Sequence, residues 1–169
     1  MRRVYIDGTT TGLEMEARLI EIALIEEVDG KRTGKSFNQL INPNGMPMTE
    51  AAINVTGYSD DFLKQYPEFY EVADTILEFI VDAELVFWDV KYILSFLNRE
   101  FHSLGKTEIL EPNYVIAPDV RTIIKKNHPH LTTLRYVLYQ HFDIKVNENS
   151  QSWVQENCLG MSILYQKIK

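Results

Sequence analysis

The first quarter of the chain holds three apolar segments separated by turn-forming residues, a pattern that predicts three β-strands. The first strand is predicted over residues 4–7 and runs into a turn rich in glycine and threonine at residues 8–12. The second covers residues 19–28, and the Asp29-Gly30 dipeptide that follows is typical of a tight hairpin. The third covers residues 33–41. Strands joined by short turns pair antiparallel, so these three are predicted to form a meander.

In the rest of the chain, segments with helical spacing of apolar residues alternate with two short apolar runs. The two runs, residues 83–88 and 114–119, are predicted to be strands. Helices are predicted over residues 49–54, 67–81, 93–104, 120–126, 131–141 and 153–168, with a polar loop at 147–151. This order indicates the α/β class: a mixed five-stranded sheet, antiparallel and then parallel, with helices on both faces. Residues 1–169 are predicted to form a single domain.

The composition sets limits on the function. A chain of 169 residues with 45% hydrophobic residues is long enough to bury a core. No apolar run approaches the roughly 20 residues of a membrane span, and residues 1–3 lead into a strand without a signal-peptide pattern. Because Cys158 is the only cysteine, no internal disulfide can form, and we expect a cytoplasmic protein that does not bind membranes. The net charge of −7 predicts weak or no binding of nucleic acid, since phosphate binding needs Lys and Arg.

Residues 7–12, Asp-Gly-Thr-Thr-Thr-Gly, place a carboxylate at the end of the first strand, where open α/β sheets hold their sites. This segment resembles Asp-x-Glu-x-Thr-Gly, the opening motif of the DnaQ-like (DEDD-type, DEDDh branch) 3'-5' exonucleases. That family includes the epsilon proofreading subunit of bacterial DNA polymerase III. Residues 19–23, 55–63 and 66–73 are similar to further segments of the family, so the resemblance covers nearly the whole chain. It implies a ribonuclease H-like, DnaQ-like exonuclease fold.

The resemblance also implies a set of catalytic residues, because the family holds two divalent ions with four carboxylates and uses a histidine as general base. Asp7 keeps the first carboxylate. Thr9 stands where the family has a ligand Glu, and Ile93 stands where it has a ligand Asp. With Asp7 as a metal ligand at most, we expect no cofactor, and Mg²⁺ or Mn²⁺ only if residual activity remains.

The last motif of the family is a histidine and, after four intervening residues, an aspartate at the start of the terminal helix. Counting back from the helix residues that match the family gives Ser152 and Asn157. A shift by one residue gives Trp153 and Cys158 instead. Neither register supplies His and Asp, so four of the five expected catalytic side chains are predicted to be replaced.

Three interpretations of the function remain open at this point. The first is a catalytically degenerate exonuclease-like protein with a binding or scaffold role in DNA replication, repair or nucleic-acid metabolism, its partner a polymerase or another replication or repair protein. The second is a residual metal-dependent 3'-5' exonuclease in which Asp89 and Glu156 join Asp7 as substitute ligands. The third is a homodimeric scaffold.

The candidate substitute ligands also have structural interpretations. Asp89 is favoured as the N-cap of the helix that follows it, and Lys91 beside the pocket disfavours a dication. Glu156 is expected to face solvent. Trp88 and Trp153 are expected at the edge of the site, where their rings fill space that ions and a nucleotide occupy in active relatives.

Overall fold

The computed structural model describes residues 1–106, 115–131, 133–144 and 152–168. Its strands are β1 (Arg2–Thr10), β2 (Leu19–Val28), β3 (Lys31–Leu40), β4 (Glu84–Phe87) and β5 (Val115–Ile116). They form one sheet in the order β3-β2-β1-β4-β5. β2 pairs antiparallel with both β1 and β3, whereas β4 pairs parallel with both β1 and β5. The predicted meander followed by parallel strands is therefore confirmed.

Helices join the strands and cover the sheet. In the described residues they are α1 (Glu50–Thr56), α2 (Asp60–Leu63), α3 (Phe69–Ile80), α4 (Val90–Ser103), α5 (Val120–Asn127), α6 (Leu134–Tyr136) and α7 (Trp153–Ile168), with a π-helical turn at Val137–His141 directly after α6. Among them, none has the length and apolar content that crossing a membrane requires.

Side-chain caps explain where the element boundaries differ from the predicted ones. α4 begins at Val90, where the capping interpretation of Asp89 places its start and three residues before the start of the segment predicted over 93–104, because Asp89 accepts a hydrogen bond from the Tyr92 backbone N–H. The helix predicted over residues 131–141 begins only after Thr133, whose hydroxyl caps α6. The strand predicted over residues 114–119 is shorter, because Asp119 caps α5 instead of extending β5. The loop predicted at 147–151 lies outside the described residues.

The alternating side chains of β1 enter two separate hydrophobic cores. Val4 and Ile6 pack on one face of the sheet with the buried sides of α3 and α4. Tyr5 packs on the other face with buried residues of α5, α6 and α7. This alternation follows from the two-residue period of a strand. Helices on both faces of the sheet are thus confirmed.

The amino end of β1 carries a network of buried charges. Arg3 lies between two carboxylates on the neighbouring strands: Nη1 donates to Glu27 Oε1 at 3.0 Å, and Nε donates to Glu84 Oε2 at 2.6 Å. Tyr5 donates to the second oxygen of Glu27 at 2.9 Å. Glu27 is fully buried, so its charge is balanced by Arg3 rather than by solvent.

Candidate active site

Asp7 lies near the carboxyl end of β1, on the face of the sheet that α7 covers. Asn157, in the second turn of α7, donates a hydrogen bond from Nδ2 to Asp7 Oδ2 at 2.8 Å. Tyr5 and Thr9 share this face, because side chains alternate along a strand. The first strand and the terminal helix are therefore in contact at Asp7, the one carboxylate of the family motif that this chain keeps.

Burial dominates the electrostatics of Asp7. The residue is only 9% exposed, and desolvation raises the pKa of its carboxyl from an ordinary 3.8 to about 7. Hydrogen bonds from Asn157 and from the Gly8 backbone oppose the rise, while the negative charge of Glu21 adds to it. The carboxyl of Asp7 therefore keeps its proton to a higher pH than an exposed aspartate does.

Glu21 on β2 is a second buried carboxylate of the site, which reasoning from the sequence missed. It lies opposite Thr9 in the β1–β2 ladder, and Tyr58 donates a hydrogen bond to its Oε2 at 3.1 Å. Burial raises the pKa of Glu21, and polar contacts from Ser152, Tyr58 and Asn38 oppose that rise only in part. The available signal was a single charged residue in the otherwise apolar first half of β2.

Gly8 directly follows Asp7, and the side chain of Ile93 fills the space beside Gly8. That side chain is 2% exposed and belongs to the core between the sheet and α4. A Cβ on Gly8 would lie 3.7 Å from Ile93 Cδ1 and only 2.9 Å from the carbonyl oxygen of Glu21. Because that second contact is too short for a side chain, only glycine fits at position 8. An apolar group, rather than a ligand, thus packs against the strand end.

Thr9 lines a cleft of about 360 Å³ between the turn after β1, α1 and α7. The walls of this cleft include Leu13, Val55, Tyr92 and Trp153. Leu13 is 82% exposed and Val55 is 69% exposed, so its rim presents apolar side chains to solvent. Thr9 contributes a neutral hydroxyl at this position.

Asp89 caps α4, as its structural interpretation predicted. Oδ1 accepts a hydrogen bond from the Tyr92 backbone N–H at 3.1 Å, and Oδ2 accepts one from Arg121 Nη1 at 2.6 Å. Both carboxylate oxygens are therefore engaged. Asp89 still lines the same cavity as Asp7, whereas Glu156 is half-buried on α7 and lies outside that lining.

Cationic side chains line or flank the Asp7 cavity, and Lys91 lies beside it in the neighbouring pocket. Arg121 lines the Asp7 cavity together with Arg135, while Lys91 lines a neighbouring pocket. Arg121 was missed because α5 is separated from β1 by more than a hundred residues. Its backbone N–H donates to the carbonyl oxygen of Trp88 at 3.0 Å, which holds the start of α5 against the end of β4.

The terminal helix places the residues of the two alternative registers differently. Asn157 contacts Asp7, whereas Cys158 is buried on the adjacent side and donates from Sγ to the carbonyl oxygen of Ala23 at 3.3 Å. Ser152 accepts a hydrogen bond from the Gln155 backbone N–H at the start of the helix, at 3.1 Å. The structure thus brings Asn157 to the Asp7 carboxylate, whereas the buried Cys158 thiol lies against the backbone of β1 and β2 near Asp7.

The Asp7 cavity has a volume of about 610 Å³. Trp88 and Trp153 both line it, in agreement with their predicted place at the edge of the site. Trp153 also lines the Thr9 cleft, as do Gly8, Val55 and Tyr92, so the two spaces are neighbours. The indole nitrogen of Trp153 is buried and has no hydrogen-bond partner within the described residues.

The donor set around Asp7 does not fit a pair of divalent ions. Divalent metals of this kind prefer several oxygen ligands, chiefly carboxylates. Among the side chains that the structure describes, no three His, Cys, Asp or Glu residues are placed to hold a metal ion. Asp7 instead faces the N–H group of Asn157, which is a hydrogen-bond donor and cannot ligate a cation.

This arrangement of strands, with a carboxylate at the end of the central strand facing the terminal helix, is the architecture of a ribonuclease H-like exonuclease. The RNase_T family model, described as an exonuclease, matches residues 4–153. The chain therefore belongs to the DnaQ-like 3'-5' exonuclease family, whose members are generally metal-dependent.

Among relatives, DNA polymerase III subunit epsilon of Escherichia coli is 32% identical over 170 residues, which is 96% of this chain and 68% of that protein. The epsilon subunit of Rickettsia conorii is 38% identical over 111 residues, 64% of this chain. The match spans about half (48%) of that relative's own length.

Solved structures agree in fold at low identity. Escherichia coli exonuclease I in complex with a dA16 oligonucleotide superposes with a TM-score of 0.80 at 12% identity, covering 99% of this chain and 40% of that one. The nuclease domain of 3'hExo, a DEDDh family member bound to rAMP, gives a TM-score of 0.73 at 13% identity, covering 99% of this chain and 90% of that one.

Proposed function

We propose that this chain is a catalytically degenerate member of the exonuclease family, which binds a partner rather than cleaving nucleic acid. One observation carries the proposal: the retained carboxylate, Asp7, accepts a hydrogen bond from the amide of Asn157. An aspartate at that position in the absence of metal would place two buried carboxylates against each other. The amide instead makes the buried pair stable without an ion.

The replaced positions support the same proposal through their chemistry. Thr9 and Asn157 are neutral, and Ile93 is apolar and packed into the core. Two-metal catalysis needs ligands that hold both ions near the attacking and leaving oxygens of the phosphate. Removal of a single well-placed electrostatic group typically lowers a rate about 10²- to 10³-fold, and here several change together.

The similarity to epsilon subunits favours a polymerase or another replication or repair protein as the partner. In this role the domain supplies a folded surface, and its nucleic-acid binding is weak. A homodimer is a further possibility for the scaffold role, because β3 is an outermost strand of the sheet. Light scattering on the full chain measures the mass and separates a dimer from a monomer.

The test of degeneracy is cleavage of a 5'-labelled single-stranded oligonucleotide in Mg²⁺ and in Mn²⁺, with Asp7→Ala prepared in parallel. We expect the wild-type chain and the variant to leave the strand intact to the same extent. Metal-dependent shortening from the 3' end by the wild type, abolished in Asp7→Ala, would end the proposal.

A gain-of-function variant tests whether the catalytic positions of the family were assigned to the correct residues of this chain. It combines Thr9→Glu, Ile93→Asp, Ser152→His and Asn157→Asp. Cleavage in Mg²⁺ by this variant, provided that circular dichroism shows a folded chain, supports the assignment. A folded variant that binds Mn²⁺ no better than the wild type contradicts it.

Residual exonuclease activity is the competing function, and the placement of Asp89 in the lining of the Asp7 cavity is the observation in its favour. It requires Asp89 to leave Arg121 and, with Glu156, to share a cation with Asp7. Under this alternative, Asp89→Asn lowers the affinity for Mn²⁺ measured by calorimetry. No detectable Mn²⁺ binding by the wild type at millimolar concentration excludes it.

A further inference from the structure

A second pocket lies next to the Asp7 cavity, between the first turns of α4 and α5. Its volume is about 520 Å³. Three cationic side chains line it: Lys91 from α4, and Arg121 and Lys125 from α5. We call these three residues and the space between them the basic pocket. Asp89 and Asp119 also line it, so its cations exceed its acids by one, in a chain whose net charge is −7.

The carboxylates in the lining of the basic pocket are already engaged. Asp89 accepts hydrogen bonds from the Tyr92 backbone and from Arg121. Asp119 accepts from the Thr122 backbone at 2.7 Å and from the Val90 backbone at 2.9 Å. Each acid is thus held in place as a helix cap, and only Arg121 is balanced by one of them.

Neither lysine is fixed in an ion pair with a described residue, although Asp119 in the same lining keeps its negative charge. Within the described residues, neither Lys91 nor Lys125 forms a salt bridge. Lys91 is exposed and Lys125 is half-buried, and both reach the same pocket from different helices. The hydroxyl-bearing Thr122 also lines it. Two ammonium groups and a hydroxyl around one open cavity form a donor set suited to a phosphate group.

We propose that the basic pocket binds a phosphate group without a metal ion. Asp89 and Arg121 line both this pocket and the Asp7 cavity, so the two spaces are contiguous. A single strand whose end enters the Asp7 cavity would therefore place a backbone phosphate in the basic pocket. The inference goes beyond the proposed function and does not depend on it, since the pocket attracts phosphate whether or not the neighbouring cavity cleaves.

The experiment measures binding of a fluorescein-labelled, single-stranded DNA 12-mer to the full chain by anisotropy, with EDTA present to remove divalent ions. The variant is the double substitution Lys91→Gln with Lys125→Gln, and the matched control is Lys126→Gln. Lys126 lies on the same helix and is exposed, but it does not line the pocket. All three substitutions are at surface positions outside the cores, so circular dichroism should confirm a native fold.

We expect the double variant to bind the strand about tenfold more weakly than the wild type, and the control to stay within about twofold. The slope of log K against log salt should decrease by about 1.4 in the double variant, since each phosphate contact on a single strand contributes about 0.7. Equal affinities for the double variant and the Lys126→Gln control overturn the inference, as does a wild type that does not bind in EDTA.

The source of the phosphate is resolved by a second measurement with inorganic phosphate. Backbone amide signals of residues 90–91 and 121–125 are followed by NMR during titration with phosphate and with the oligonucleotide. Shifts with both ligands support a site for a free phosphate group, and shifts with the oligonucleotide alone support a phosphodiester site. Shifts with neither overturn the inference. Cleavage in Mg²⁺ would contradict only the proposed function.

Discussion

The two ends of β1 differ in how their buried acids are neutralised: by a cation at the amino end, and by neutral hydrogen-bond donors at the carboxyl end. At the amino end, Glu27 is fully buried and paired with Arg3, and Tyr5 donates to its second oxygen. At the carboxyl end, Asp7 and Glu21 are buried with neutral donors only, from Asn157 and Tyr58. Burial raises the pKa of both. In the first arrangement each buried charge has a partner whose removal is costly, whereas the second keeps acids buried at a net energetic cost.

The two ends of β1 therefore have different explanations, one in the stability of the fold and the other in the proposed loss of a metal site. Opposite charges on neighbouring strands are what a fold needs in order to bury a polar network. Buried acids without a paired cation are what the proposed degeneracy predicts at a site that holds metal ions in active members of the family. The proposed degeneracy predicts that the carboxyl end can be neutralised with a gain in stability, and that the amino end cannot.

The largest expected effect comes from the amino end. Arg3→Met leaves Glu27 buried without a counter-charge, so we expect the free energy of unfolding to fall by about 3–5 kcal/mol. Urea unfolding at pH 7 measures it. The control is Lys64→Met, which removes an exposed pair with Asp61 and should change nothing measurable. A loss in Arg3→Met no larger than in the control would show that the network does not stabilise the fold.

The opposite sign is expected for Asp7→Asn. The raised pKa means that the folded state holds its proton more tightly than the unfolded state, so stability falls as pH rises from about 3.8 to about 7 and is level above. Removal of the charge should therefore increase the free energy of unfolding at pH 8 by about 1–4 kcal/mol, with little gain near pH 4.

Urea unfolding at a series of pH values checks this prediction. Glu78→Gln, at an exposed position of α3, is the control for loss of one acid. A stability difference between Asp7→Asn and the wild type that is constant with pH would contradict the raised pKa. Destabilisation at pH 8 would show that the ionised carboxylate is needed, as a metal site requires.

Asp89 is the acid at the carboxyl end of the sheet that does have a cation, and it should behave like a structural residue. Asp89→Ala removes the cap of α4 and the partner of Arg121, with an expected loss of about 1–2 kcal/mol. Asp89→Asn keeps a capping oxygen and should lose less than half of that. Equal losses in thermal unfolding would assign the effect to the ion pair instead of the cap.

The smallest expected effect is the coupling between the two buried acids. The charge of Glu21 contributes to the raised pKa of Asp7, after the larger contribution of burial. In Glu21→Gln the pKa of Asp7 should therefore fall slightly while staying above its ordinary value. NMR titrations of the Asp7 carboxyl carbon measure this pKa in the wild type and in Glu21→Gln. An unchanged pKa would mean that the two carboxyls do not interact.

Much of the fold was predictable because the signals that specify it are local. The apolar runs of β1 and β2, each followed by turn-forming residues, predicted the strands of the meander, and the spacing of apolar residues predicted α3. The start of α6 was predicted less accurately, because the Thr133 cap decides it. In the site, Asp7, Asp89 as a cap and the two tryptophans were predicted. Glu21 and Arg121 were missed, because neither stands at a position for which the family resemblance implies a catalytic residue.

The sequence by itself determined which residues form the strands, which faces are apolar, and which family the chain resembles. Only the tertiary structure decided which polar groups meet: Asn157 with Asp7 across 150 positions, and Arg121 with Asp89 across 32. The physical reason is the separation along the chain over which each signal acts. Hydrophobic periodicity is read within one element, whereas the partner of a buried charge depends on how distant elements pack, and that packing also fixes its pKa.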